Sequence, residues 1–135
     1  MTDTTTTPKK GKKKEKFAAT TGRTHSIDAA GKRMGKVATE AATVLMGKTE
    51  VDYTKHIMSD VVVTIDNAGQ MDIPEKKGGE IYQTYSGYPS GRKEESLSHL
   101  KNRRGIEEVL RRTVRGMLPK NKHQDRLLKQ LIINA

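Results

Sequence analysis

The sequence predicts an α/β domain built on a parallel sheet, and three observations carry that expectation. Val61 to Ile65 reads VVVTI, four apolar residues in five, the run of a strand covered on both faces inside a parallel sheet. Between Met34 and Met46, the residues Met34, Val37, Ala38, Ala41 and Leu45 fall at i, i+3, i+4, i+7 and i+11, the stripe of an amphipathic helix. Strand and helix candidates then alternate along the chain, the order that produces βαβ layers.

In chain order, Thr24 to Ala29 (THSIDA) is a short strand closed by Ala30-Gly31-Lys32. The helix that follows stops at Gly47-Lys48, a glycine stop with a cation near the negative end of the helix dipole. After VVVTI, Asp66 to Gly69 turns the chain, Met71 to Ile73 is a brief extension and Pro74 to Gly79 a polar loop. Glu80 to Ser86 is another strand, with Ile81, Gln83 and Tyr85 on one face and Tyr82 and Thr84 on the other. Gly87-Tyr88-Pro89-Ser90-Gly91 breaks regular structure.

Ser96 to Lys101 reads as a short helix ending near Gly105. From Ile106 to Leu118 a longer helix buries Ile106, Val109, Leu110, Val114 and Met117, while Arg111, Arg112 and Arg115 project elsewhere. Gly116 and Pro119 stop it. Asn121 or Asp125 starts a last helix through Leu127 and Leu128, and Leu131-Ile132-Ile133 is a closing strand. About four strands are expected, at 25–29, 61–66, 80–86 and 131–134, and no internal repeat is present. Strand order does not follow from this pattern.

The chain of 135 residues is one domain by length, with a modest aliphatic core, since only 33% of residues are hydrophobic and 4% aromatic. Its net charge of +10 and isoelectric point near 9.9 favour a polyanion, nucleic acid first and an acidic membrane surface second. The charge is polarised: residues 1–24 carry +5, residues 25–99 carry −2 and residues 100–135 carry +7. A merely solubilising surface mixes its signs more evenly. The absence of cysteine excludes disulfides, thiolate zinc sites and cysteine nucleophiles. No run approaches the roughly 18 apolar residues of a membrane span and no signal peptide is evident, so a soluble intracellular protein is expected.

Residues 1–23, Thr-rich and then Lys-rich, have little to bury and are expected to form a disordered basic arm carrying Lys9, Lys10, Lys12, Lys13, Lys14 and Lys16. Residues 24–135 make the single α/β domain. In it, Arg111, Arg112, Arg115, Lys120 and Lys122 read either as a grip on a phosphate backbone or as a solvated basic helix face. Like charges clustered over two turns repel unless an anion sits among them. Tyr85 and Tyr88, with Arg92 and Lys93 alongside, read as base-stacking rings or as half-buried sheet edges.

Gly31-Lys32-Arg33-Met34-Gly35-Lys36 matches neither GxGxxG nor GxxxxGK[ST], so backbone phosphate contact by Lys32, Arg33 and Lys36 stands above a mononucleotide site. His25, His56, His99 and His123 show no metal-ligand spacing. Asp28, Asp60 and Asp66 fit turn caps at strand ends better than paired catalytic carboxylates. No acid, base or nucleophile constellation stands out, which points away from an enzyme.

Six blocks, Ile27 to Ala38, Leu45 to Lys48, Tyr53 to His56, Val61 to Ala68, Ile81-Tyr82 with Tyr85 to Gly91, and VRGMLPKNK from Val114 to Lys122, share an order and separation. In these the chain resembles the bacterial-type large-subunit ribosomal protein L13 family. The resemblance implies a three-layer α/β/α domain on a four-stranded parallel sheet, bound to large-subunit ribosomal RNA and acting early in subunit assembly. It implies RNA contact at Lys32, Arg33, Lys36, Arg115, Lys120, Asn121 and Lys122, and no catalysis. Thr24-His25, Lys55, Ser59-Asp60 and His123-Gln124 depart from the family pattern.

Taken together, the expectation is a structural component of the large subunit in translation, with Tyr88, Arg92, Arg111 and Arg112 added to the RNA-contacting residues. Its partners are large-subunit ribosomal RNA and neighbouring ribosomal proteins, with no membrane, metal, cofactor or small-molecule substrate. The expected location is the cytoplasmic large subunit, an organellar ribosome also being open. Two rivals stand: a small nucleotide-dependent α/β enzyme using the Gly31 to Lys36 turn, and a basic RNA- or DNA-binding factor outside the ribosome.

Overall fold

In the computed structural model, which describes residues 23–135, strand β1 (Thr24–Asp28) leads through Gly31, left-handed at φ +65°, into helix α1 (Met34–Leu45). The predicted stripe is the buried one: Met34, Val37, Ala38, Ala41 and Leu45 all lie in the core. Gly47 ends the helix at φ +72°, and the Ser59 hydroxyl donates to the Leu45 carbonyl at 2.6 Å, occupying one of the acceptors a helix end leaves unsatisfied. Strand β2 (Val62–Asp66) follows, then a single 3-10 turn at Ala68–Gln70.

The parallel sheet has the order β1-β2-β5, with β5 at Leu131–Ile133. Register pairs Ile27 with Ile65 and Ile65 with Ile133, so one apolar row crosses all three strands. Four strands were expected here, and among the described residues there are three. The fourth candidate, β3 (Ile81–Tyr85), pairs antiparallel with β4 (Arg92–Ser96) as a separate hairpin. The reason is in its sequence: IYQTY carries polar Gln83 and Thr84, one on each face, and four of its five residues are exposed. A strand buried in a parallel sheet is apolar on both faces. Beside β1 the brief extension at Met71 to Ile73 contributes one isolated parallel bridge, Arg33 with Asp72.

Among the described residues, the two faces of the parallel sheet are covered unequally. The sheet face bearing Ile27, Val63, Ile65, Leu131 and Ile133 is buried. The opposite face presents exposed Thr24, Ser26 and Asp28, half-buried Val62, Thr64 and Asp66, and Ile132 at 48% exposure. Among the described residues, VVVTI is therefore a central parallel strand fully buried on one face and half-buried on the other.

The polar loop at Pro74 to Gly79 contains a one-turn helix, α2 (Glu75–Gly78). Helix α3 (Leu97–Arg104) starts where the Ser96 hydroxyl accepts from the His99 backbone N–H, an N-cap. Helix α4 (Ile106–Met117) buries Ile106, Val109, Leu110 and Val114 against α1 and α3. Met117, expected in the stripe, is 39% exposed. Gly116 does not stop α4, which runs through it; the break comes at Leu118, held extended at ψ 149° by the ring of Pro119 behind it. Helix α5 (Gln124–Lys129) returns the chain to β5.

Candidate nucleic-acid interface

Helices α1 and α4 lie side by side and run in the same direction. Thr113 on α4 touches the Met34 sulfur at 3.8 Å near the start of α1, and Thr39 one turn on touches the Met117 sulfur at 3.5 Å. The segment after α4 then meets the far end of α1: Pro119, Asn121 and His123 line a small cleft with Leu45 and Met46. Lys32, Arg33 and Lys36 therefore sit at one end of this helix pair, and Lys120, Asn121 and Lys122 at the other. The 12 residues of α1 between them span about 18 Å. Arg111 and Arg115 are exposed on α4, and the Thr113–Met34 and Thr39–Met117 contacts put them alongside the Lys32 to Lys36 end of α1.

The cations are not equivalent. Arg112, expected to face outward with the others, is half-buried and donates from Nε to Glu108 Oε1 at 3.1 Å. Arg104 reaches the same carboxylate oxygen at 3.5 Å, so Arg112 belongs to an intramolecular cluster. Lys32 is 3.6 Å from Glu40 and Arg33 is 3.7 Å from Asp72, loose pairs that leave both cations accessible. Among the described residues, Lys36, Arg111, Arg115, Lys120 and Lys122 have no ion-pair partner. Arg111 and Arg115 are one helical turn apart, a spacing at which like charges repel.

The corner after α4 is fixed by its own hydrogen bonds. The Gln124 amide donates to the carbonyls of Arg115 at 2.8 Å and Leu118 at 3.3 Å, closing the end of α4. Asn121 Oδ1 accepts from the His123 backbone N–H at 3.0 Å, an Asx turn, which leaves the Asn121 amide N–H groups facing solvent. Leu118 is buried and anchors the turn, while Pro119 to Lys122 are exposed. This geometry presents three donors on a rigid outward corner.

Tyr88 and Arg92 are displayed elsewhere, at the tip and on the second strand of the β3–β4 hairpin. Tyr88 is 76% exposed and Arg92 pairs with Glu94 at 2.6 Å. The hairpin is tied to α3, where Arg103 grips Glu95 through two bonds of 2.8 and 2.7 Å and His99 reaches the same carboxylate at 2.9 Å. These contacts, the Arg103 bonds first, hold the Glu95 carboxyl down at about 2. Lys9, Lys10, Lys12, Lys13, Lys14 and Lys16 of the expected arm lie outside the described residues.

Of the carboxylates read as turn caps, Asp28 and Asp66 accept hydrogen bonds. Asp28 accepts from the Asn67 amide and the Ala30 backbone N–H, which lowers its pKa. Asp66 accepts from Ser26 and Asn134. Lys77 was not singled out in the sequence, because Pro74 to Gly79 reads as a polar loop. It nonetheless faces the same recess as Arg33 and Lys36, and the Lys76-Lys77 pair was the available signal.

A family model described as "Ribosomal protein L13" matches residues 22–134, nearly the whole described chain. The chain belongs to the ribosomal protein L13 family. It is 38% identical over 110 residues to the large ribosomal subunit protein uL13 of Rubrobacter xylanophilus, covering 81% of this chain and 76% of that relative. The uL13 proteins of Synechocystis and Clostridioides difficile are each 39% identical over 110 residues, with 72% and 76% of the relative covered. In this L13-family chain the matched region contains every cation placed along α1, α4 and the corner.

Proposed function

We propose that the chain is a structural constituent of the large ribosomal subunit that binds large-subunit ribosomal RNA and supports early subunit assembly. The reading rests on family membership and on one observation: a track of accessible cations along α1 and α4, about 18 Å long by helix rise, ending in the Lys120 to Lys122 corner. Phosphates along an RNA strand accept from such a track, and the contacts fix position without reading sequence. Lys32, Arg33 and Lys36 hold one end together with Arg111 and Arg115 of α4, and Lys120, Asn121 and Lys122 hold the other end. Arg112 serves the helix surface, while Tyr88 and Arg92 make a separate contact from the hairpin. The basic arm of residues 1–23 adds non-specific attraction to the single domain of residues 24–135. Neighbouring large-subunit proteins complete the partner set, in the cytoplasm, and the role involves no catalysis.

The test is fractionation of a lysate on sucrose gradients at low and high salt. The chain should sediment with large subunits at low salt and resist release until the salt is high. Sedimentation away from large subunits at every salt concentration would refute the assignment.

A further inference from the structure

Between the first turn of α1 and the segment entering α2 lies a recess of about 310 Å³, bounded by Arg33, Gly35, Lys36, Ile73, Pro74 and Lys77. That volume is at the lower end of the roughly 300–1,000 Å³ of small-molecule pockets. Its lining is mainly apolar, yet three cations rim it, and the one acid at the rim, Asp72, is met by Arg33 at 3.7 Å. Apolar walls with a cationic rim suit a flat apolar body attached to an anion, and a nucleobase on its phosphodiester backbone has that chemistry. The recess also opens at the end of α1 where the cation track begins.

Gly35 adds a separate observation. Its backbone is not left-handed, and a Cβ placed on it meets no atom within 4 Å, so neither conformation nor packing inside the chain calls for glycine there. Glycine at that position costs helix stability relative to alanine and leaves the wall of the recess bare. Open space is what the glycine provides.

We infer that this recess receives one unstacked base of single-stranded RNA, with the neighbouring phosphates held by Arg33, Lys36 and Lys77. The inference rests on the RNA-binding reading and deepens it: the track positions the backbone, and the recess captures a base that is splayed out of the helix, the usual way proteins engage irregular RNA.

The test uses the full chain and a bacterial large-subunit ribosomal RNA transcript. Hydroxyl radicals report the RNA backbone, and dimethyl sulfate with a carbodiimide reports the base edges. The wild-type chain should protect a backbone stretch and, within it, the edge of an unpaired base. Gly35→Leu fills the recess without removing a cation and raises helix propensity. It should restore reactivity of that base, keep the flanking backbone protected, and raise Kd about tenfold, the scale of leaving one base's apolar face unburied. The slope of log K against log salt should not change with Gly35→Leu, whereas Lys77→Ala should lower it by about one. Base reactivity and Kd identical for wild type and Gly35→Leu would overturn the inference while leaving the RNA-binding reading intact. Absence of backbone protection by the wild-type chain would remove both.

Discussion

The Thr39 hydroxyl on α1 lies 3.5 Å from the Met117 sulfur at the end of α4, a contact between residues 78 apart in the sequence. With Thr113 on Met34 it fixes α1 and α4 in the same direction, and so joins two cation clusters into one surface. Neither cluster alone spans more than about two helical turns. In the proposed RNA-binding role the two together contact several phosphates, and the salt dependence of binding should reflect that number of contacts.

Arg111 and Arg115 should behave differently from Arg112. The first two have no ion-pair partner among the described residues, while Arg112 is bonded to Glu108 at 3.1 Å. Replacing Arg111 or Arg115 by Ala should therefore lower the slope of log K against log salt by about one each. Arg112→Ala should leave that slope unchanged. Filter binding to ribosomal RNA over a salt series measures all three, and equal slopes for the three variants would contradict the division.

That division marks the limit of what the sequence disclosed. The stripe of α1 and four of the five expected buried positions of α4 were legible, because helical periodicity depends only on the chain's own pattern. The central place of VVVTI was legible for the same reason. Pairing was not: β4 reads RKEES, with nothing apolar to mark it as a strand, and β3 meets it only because the Tyr88 to Gly91 turn folds them together. Arg112 looked identical to Arg111 and Arg115 in sequence, and only the position of Glu108 one turn earlier separates them. The outward corner at Lys120 to Lys122 was visible as Pro119 after a helix, but its bracing by Gln124 depends on a side chain several residues on.

Two glycines give opposite expectations for stability. Gly47 has φ +72°, and an added Cβ would sit 2.9 Å from Ser59 Cβ, so Gly47→Ala should destabilise by about 2 kcal/mol from left-handed strain and crowding. Gly116 lies within α4 with nothing within 4 Å of an added Cβ, and Gly116→Ala should stabilise by about 0.5–1 kcal/mol. Urea unfolding of both variants gives the two signs directly. Measured against Ser59→Gly alone, which already lacks the hydroxyl bond to Leu45, Gly47→Ala should cost only the strain part.

Glu95 predicts an acid-sensitive hairpin. Arg103 first, and then His99, hold its carboxyl down from the ordinary 4.5 to about 2 in the folded chain. A depressed folded pKa means stability that is fully present above about pH 4.5 and is lost as pH falls through about 2. The difference in urea midpoint between wild type and Glu95→Gln should therefore be largest near neutral pH and shrink steadily between those two values. A difference that stayed constant across the acid range would show that the carboxylate is not held by these partners.

Tyr88 separates stacking from charge. The ring is 76% exposed at the tip of a hairpin whose strands pair from Ile81 with Ser96 to Tyr85 with Arg92, and no described contact within the chain explains so large an apolar surface in solvent. A ring that stacks on a base contributes affinity without releasing counterions. Tyr88→Ala should then weaken RNA binding about tenfold at every salt concentration, with an unchanged slope. Tyr88→Phe, which keeps the ring and loses only the hydroxyl, should restore most of the affinity. If Phe proves as poor as Ala, the hydroxyl rather than the ring carries the contact, and the hairpin binds by hydrogen bonding to the backbone instead of by stacking.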